Sequence, residues 1–143
     1  MNSPTRRPLL FVDTSALVRR YVQNADRDLV LEAMSTSDAW CASALTHSEC
    51  SLALRRLSSH AAQHERLTTA LQRDWDAFWV IPLDSRCLSH AAQLGAHFGL
   101  RSVDALQLAS ADRLTRPAGY LTFDRQQIPA AAGLGFEVIS PLA

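Results

Sequence analysis

The sequence predicts an α/β fold with a mostly parallel sheet covered by helices on both faces, and three observations predict it. Short apolar runs of strand length alternate with segments of helical periodicity along the whole chain, the pattern of successive βαβ units. The first such run, Leu9-Leu10-Phe11-Val12, ends abruptly in Asp13-Thr14-Ser15 and passes straight into a helical pattern, as a buried strand of a parallel sheet does. A length of 143 residues is that of one ordinary domain, which buries roughly 68–70% of the surface its unfolded chain exposes. Residues 1–143 therefore read as one domain, without repeats, low-complexity tracts or a linker.

In chain order, a helix over 14–22 presents Ala16, Leu17, Tyr21 and Val22 at helical spacing. Asn24-Ala25-Asp26 breaks it and opens a second helix over about 25–34, with Leu29, Val30, Ala33 and Met34 inward. Ser35-Thr36-Ser37-Asp38 is a polar loop, and Ala39-Trp40-Cys41-Ala42 a short buried strand. From Leu45 a helical region runs through Leu52, Ala53 and Leu57, weakens at Ser58-Ser59, and resumes through Leu67, Leu71, Trp75 and Phe78, which a hairpin of two helices explains. A third strand covers 79–83; Asp84-Ser85 caps a helix reaching His97, and Gly99 stops it. A well-capped helix over 103–111 follows, with an apolar stripe at Val103, Leu106, Ala109 and Ala111. Residues 119–124 form a strand that ends in an acid, Asp124, as the first strand ends in Asp13. A short Ala-rich helix and a last strand over 136–139 close the chain.

Composition excludes several function classes. With 48% hydrophobic and 20% charged residues the chain is globular rather than disordered. Its formal net charge of zero makes it no general magnet for nucleic acid or anionic membranes, so any nucleic-acid site is a local patch. All 14 basic residues are arginine, which removes Schiff-base chemistry, a phosphate-loop lysine and a lysine base, and leaves arginine forks for phosphates. Cys41, Cys50 and Cys87 match no zinc or redox spacing and read as small buried hydrophobes of a reducing compartment. Residues 1–8 are polar with Arg6-Arg7 and lack a signal-peptide core, and no stretch approaches the roughly 18 apolar residues of a membrane span. A cytoplasmic location is expected.

Four acids stand out, each with a structural explanation of its own. Thr46-x-x-Glu49 matches a capping box. Asp104 falls in a first helical turn after Ser102, where the helix dipole favours a carboxylate. Asp13 and Asp124 both suit helix N-caps. Jointly they say more: Asp13 and Asp124 end strands, while Glu49 and Asp104 begin helices, so all four face the carboxyl end of the sheet, where open α/β folds bind ligands. Carboxylates gathered there repel one another and raise each other's pKa values unless a cation sits between them. Hard oxygen donors select Mg²⁺, with Mn²⁺ as a substitute. Without lysine or a phosphate loop, such an ion points to hydrolysis of a phosphodiester by water.

The same residues carry a family resemblance. Val12-Asp13-Thr14-Ser15-Ala16-Leu17, then Ser48-Glu49 with Ala53-Leu54-Arg55, then Asp104-Ala105-Leu106-Gln107-Leu108-Ala109, then Leu121-Thr122-x-Asp124 resemble the successive motifs of a PIN domain. The nearest kind is the VapC toxin of bacterial type II toxin–antitoxin modules, and the likeness spans about 9–139. It implies a three-layer α/β/α sandwich around a five-stranded, mostly parallel sheet, and a Mg²⁺-dependent endoribonuclease leaving 5′-phosphate and 3′-hydroxyl ends. By it, Asp13, Glu49 and Asp104 correspond to the core acids and Asp124 to the more variable fourth; Ser15 matches the hydroxyl that supports the first acid, and Thr122 the threonine before the fourth. Asp13 and Asp104 are then expected to hold Mg²⁺, with Asp124 contributing directly or through water and Glu49 holding a second ion or orienting the attacking water. The implied partners are an RNA substrate, a VapB-like antitoxin whose tail places an arginine in the acidic site, and a second copy in a homodimer; DNA is met only through the antitoxin. Two alternatives stay open: a PIN-domain module that binds RNA or a partner without turnover, and an RNA-processing nuclease that is no toxin. Nothing is carried onto the family-variable region 58–79.

Other residues have plainer expectations. Arg19-Arg20 and Arg55-Arg56 are candidate RNA contacts or solvated faces. His60 and His64 have i,i+4 spacing but no third ligand, so an exposed helix face is expected, and His47 near Glu49 is expected to pack. Trp40, Trp75 and Trp79 are expected in the core or at a subunit contact. A receiver module needs a lysine, which is absent, and a haloacid-dehalogenase-like phosphatase needs an aspartate where Ser15 stands.

Overall fold

The structure is a computed structural model and describes residues 6–142, so residues 1–5 of the polar amino-terminal stretch lie outside the described residues. Five strands, β1 (Arg7–Val12), β2 (Ser37–Ser43), β3 (Trp79–Ile81), β4 (Gly119–Leu121) and β5 (Glu137–Ile139), form one sheet of order β3-β2-β1-β4-β5. Every neighbouring pair is parallel. Between β1 and β3 lie α1 (Thr14–Tyr21), α2 (Arg27–Ser35), α3 (Ala44–Leu57) and α4 (Ala61–Trp75); after β3 come α5 (Ser85–Phe98), α6 (Ser102–Ala111) and, beyond β4, α7 (Ile128–Gly133).

The chain winds outward from β1 to β3, then returns to lay β4 and β5 on the other side of β1. Right-handed crossovers on a sheet whose winding direction reverses put the two sets of helices on opposite faces, which makes the three layers. Strand parity sorts the side chains accordingly. Leu10, Val12, Ala42 and Leu121 pack with Leu17, Val30, Met34, Leu54 and Leu71 of the first four helices. Phe11, Cys41 and Tyr120 pack with Leu94, Leu108 and Ala131 of the last three. Phe11 and Tyr120, register partners on β1 and β4, stack with ring centroids 5.1 Å apart.

Most local signals hold. Asp84 caps α5 by accepting from the Cys87 amide at 2.9 Å, and Gly99 ends that helix in the left-handed region at φ 66°. The helical hairpin breaks after Leu57 as expected. All three cysteines are free and buried, and burial pushes the thiols of Cys41 and Cys50 up to about 11 and about 12, which keeps them inert. Among the described residues no helix is long and apolar enough to cross a membrane.

Three expectations are corrected. The polar loop is shorter than expected, because Ser37 and Asp38 already belong to β2; Ser37 is buried with its hydroxyl on the Ala33 carbonyl at 2.8 Å. Trp79 sits on the edge strand with its side chain exposed, which removes the core from its two expected places and keeps the subunit contact. The apolar stripe expected on α6 is not its buried face: Val103 is exposed and Leu106 half-buried, while Asp104, Gln107 and Ser110 are buried. Nor is α6 capped by a side chain, since Arg101 occupies the N-cap without such a bond.

Because the winding reverses between β1 and β4, the carboxyl ends of these two strands border the crevice in which open α/β sheets place ligands.

Candidate active site

Asp13 is fixed by the elements on both sides of that crevice. It follows β1 directly, caps α1 through the Ala16 amide at 3.1 Å, and accepts from the Ser15 hydroxyl at 2.6 Å. Its other oxygen accepts from the Thr122 hydroxyl, just past β4, at 2.7 Å. Thr122 in turn accepts from the Asp124 amide at 3.0 Å, and Ser15 from the Phe123 amide at 2.9 Å. Two hydroxyls thus clamp the exit of β4 onto the exit of β1. The N-cap expected of Asp13 and its place in the acidic cluster coexist. Burial pushes the Asp13 carboxyl up to about 6, against the lowering by the Ser15, Thr122 and Ala16 hydrogen bonds, and the nearby Asp124 charge adds to the rise.

The third acid is held from behind. Asp104 lies in the first turn of α6, buried, and accepts from the Gln127 amide nitrogen at 3.1 Å; the buried Tyr120 hydroxyl fixes Gln127 by donating to its carbonyl oxygen at 2.6 Å. Asp124 does not cap α7, whose N-cap is Gln127; it accepts instead from the Gln126 amide at 2.9 Å in a tight turn. Its carboxyl is raised, first by burial and then by the Asp104 carboxyl beside it, despite the Gln126 hydrogen bond and the Arg101 charge.

Glu49 reaches the same crevice from one turn inside α3. The capping box is absent: Ser43 caps α3 by accepting from the Leu45 amide at 3.2 Å, while Thr46 is buried inside the helix. The Glu49 carboxylate accepts from the Thr14 hydroxyl at 2.7 Å and from the Gln107 side-chain nitrogen at 3.2 Å. That nitrogen also lies 3.2 Å from the Thr14 hydroxyl and 3.0 Å from that of Thr46. Gln107 is therefore a buried hub joining α1, α3 and α6. Gln107→Leu is expected to cost about 1–3 kcal/mol, the usual penalty for stranding buried polar partners, and to loosen Glu49. Urea unfolding with an unchanged m-value reads the first effect.

Asp13, Ser15, Glu49, Asp104 and Asp124 all line one pocket of about 270 Å³, together with Gln107, Gln127 and Arg101. A larger cavity of about 670 Å³ opens at the opposite end of the sheet, by the first residues of β1, β4 and β5, with Arg7 and Glu137 paired across it. The acids gather at the smaller one. Among the described residues Arg101 is the one basic residue lining it; its Nε is 3.2 Å from Asp104 and a terminal nitrogen 3.8 Å from Asp124. With its side chain 78% exposed, Arg101 leans over the mouth and does not wall it off.

The donor set is entirely hard oxygen. Among the described residues no three His, Cys, Asp or Glu side chains come together as a cage able to hold a metal ion by themselves, so the acids are less tightly drawn together than the sequence suggested. Mg²⁺ needs no such cage: it is held through one or two carboxylates, keeps several waters and takes substrate phosphate oxygens. Neighbouring Asp104 and Asp124, with Asp13 and Glu49 around them, suit an ion of that kind.

Several sequence candidates lie elsewhere. Arg20 pairs with Asp74 at 2.8 Å, where the Tyr21 hydroxyl also donates at 2.7 Å, and so ties α1 to α4. Arg19 stacks its guanidinium over the Phe123 ring, 4.3 Å from the centroid, beside the mouth. Arg55 and Arg56 occupy the last turn of α3, remote from the helix end that carries Glu49. His47 packs against Trp75 and meets Gln72, and His60 caps α4, which breaks the helical pairing with His64. Trp40 and Trp75 pack on Phe78. Gln107, Gln127, Tyr120 and Arg101 had no local signal beyond Gln107 falling in the third motif.

A parallel sheet of this order with carboxylates gathered at its switch point defines the class: a PIN domain, whose family profile matches residues 10–133. Ribonuclease VapC46 of Mycobacterium tuberculosis is 32% identical over 133 residues, covering 92% of this chain and 97% of that relative. Ribonuclease VapC45 from the same species is 30% identical over 108 residues, 73% of this chain and 75% of the relative. The chain belongs to the VapC family of PIN domains. The fold is shared with FitAcB from Neisseria gonorrhoeae, at a TM-score of 0.72 and 18% identity over 93% of this chain and 98% of that one. It is shared too with a toxin–antitoxin complex from Klebsiella pneumoniae, at a TM-score of 0.68 and 19% identity over 92% and 97%.

Proposed function

We propose that this protein is a Mg²⁺-dependent endoribonuclease and the toxin of a VapBC-type module. The observation that carries the reading is the convergence of Asp13, Glu49, Asp104 and Asp124 on one open pocket at the switch point of the sheet. Asp104 and Asp124 would hold the ion, with Asp13 behind them. An ion held there would supply a water of lowered pKa and a countercharge to the phosphodiester. Glu49, held by Thr14 and Gln107, orients the attacking water; Ser15 and Thr122 keep Asp13 in one rotamer. RNA preference then arises from binding rather than chemistry, since water is the nucleophile. The relatives named as VapC ribonucleases support the activity, and structures of toxin–antitoxin complexes with this fold support a VapB-like antitoxin; cytoplasmic action is part of the proposal. A second copy of this chain completes the proposed assembly.

The purified chain should fragment a labelled RNA pool in Mg²⁺, stop in EDTA, and resume on adding Mg²⁺ or Mn²⁺. RNA that stays intact while bound in Mg²⁺ would instead establish a binding module. Growth arrest on expression, relieved by co-expressing a small gene found beside this one, separates a toxin from an RNA-processing nuclease.

A further inference from the structure

We infer that Arg101 is a two-state residue of this site: without a divalent cation it serves as counter-charge to Asp104 and Asp124, and once a cation takes over those carboxylates it binds the scissile phosphodiester. The inference rests on the nuclease reading and goes beyond it by assigning a substrate contact within this chain.

Three features support it. First, position: the backbone of Arg101 is anchored at the N-cap of α6, where its carbonyl accepts from the Ala105 amide at 2.9 Å, but its side chain makes no cap bond. The guanidinium can therefore move while its root stays fixed beside Asp104. Second, weakness of its present contacts: the approaches of 3.2 Å to Asp104 and 3.8 Å to Asp124 are long for charge-assisted bonds, and the side chain is 78% exposed. Exposed ion pairs of this sort contribute little and yield to a stronger competitor. A divalent ion seeking the same oxygens is such a competitor. Third, direction: among the described residues lining the pocket Arg101 is the one cation, so a phosphodiester approaching the acids meets this guanidinium at the rim. A planar fork matches a phosphate's paired oxygens, which a carboxylate-rich mouth otherwise repels.

The two states make opposite demands, and that gives the test. Mn²⁺ binding is followed by titration calorimetry on metal-free wild type, Arg101→Gln and Arg101→Lys, with thermal melts to confirm that these exposed substitutions leave the fold intact. Removing the resident charge should tighten Mn²⁺ binding by about tenfold in Arg101→Gln, with Arg101→Lys between. At saturating Mg²⁺ the same Arg101→Gln variant should lose about tenfold or more in kcat/KM for RNA, partly restored by lysine. A residue that merely caps or packs would move neither in this opposed way. Equal Mn²⁺ affinity in wild type and Arg101→Gln overturns the inference while leaving the nuclease reading standing. Unchanged kcat/KM at saturating Mg²⁺ overturns its substrate half. Mn²⁺ binding by Arg101→Gln but not by wild type upholds the counter-charge role even if no RNA is cleaved. Binding by neither chain removes the metal reading and this inference together.

Discussion

Asp104→Asn is expected to lower Mg²⁺-dependent RNA cleavage by about a thousandfold or more, because charge stabilisation at the reacting phosphate is the largest single contribution such a site makes. The substitution keeps the volume of the side chain, and its oxygen still accepts from Gln127, whose own oxygen is fixed by Tyr120. What disappears is one negative charge beside Asp124. Circular dichroism should remain native, which separates lost chemistry from lost fold. Asp28→Asn, an exposed acid in the first turn of α2, is the matching control and should cleave as wild type does. Cleavage by Asp104→Asn at the wild-type rate in Mg²⁺ would remove the acids from the reaction.

Asp13→Asn should also abolish cleavage, yet make the metal-free protein more stable. Asp13 is 1% exposed, and its carboxyl is pushed up to about 6 from an ordinary 3.8, first of all by burial. In the window between these values the folded protein binds more protons than the unfolded one. The stabilisation this represents is fully present below 3.8 and is lost as pH rises through about 6. At neutral pH the charged carboxylate thus costs about 3 kcal/mol relative to its protonated form. Lowering the pH to about 5 recovers on the order of 1 kcal/mol, a few degrees in melting temperature for a domain of this size. Asp124, raised as well, acts in the same direction, whereas exposed Asp84, lowered by the Cys87 amide and Arg113, acts oppositely and only in more acid solution. In EDTA at neutral pH, Asp13→Asn should melt on the order of 10 °C above wild type, with a flatter pH profile. Adding Mg²⁺ should raise wild type more than the variant, since an ion bound only by the folded state stabilises it by mass action. A wild type that melts higher at neutral pH than at pH 5 in EDTA would show that this carboxylate is not held against its charge.

These two substitutions act on a site that trades stability for function. Burying Asp13 among Ser15, Thr122 and the Ala16 amide fixes its geometry, and the unfavourable charge is the cost of that placement. Gln107 and Gln127 serve the same end with neutral groups: each orients an acid without neutralising it, which leaves the acids' charge available to a cation.

What the sequence determined by itself is whatever short-range interactions settle. The apolar run that ends at Asp13, the Asp84 cap, the Gly99 stop and the break after Leu57 are decided by burial periodicity and by backbone groups within a few residues, so they read directly from the chain. The order of motifs likewise placed Asp13 and Asp104 at element boundaries, whereas Asp124, expected to end its strand, lies three residues past β4 in a turn closed by the Gln126 amide. Tertiary structure alone decided which polar groups the interior accepts. Helix α6 lies against both α5 and the sheet, so its buried face carries Asp104, Gln107 and Ser110 in place of the apolar stripe that amphipathic reasoning assigns to a surface helix. The capping box at Thr46 and Glu49 gave way to Ser43 for a related reason: Thr46 has Gln107 as a partner 61 residues away, and a window of local sequence does not contain that partner. Arg20 went to Asp74 and Arg101 to the acids through the packing of α1 on α4 and of α6 beside the crevice. Burying a polar group is tolerable only where another arrives to meet it, and the fold, not the neighbouring residues, brings the two together.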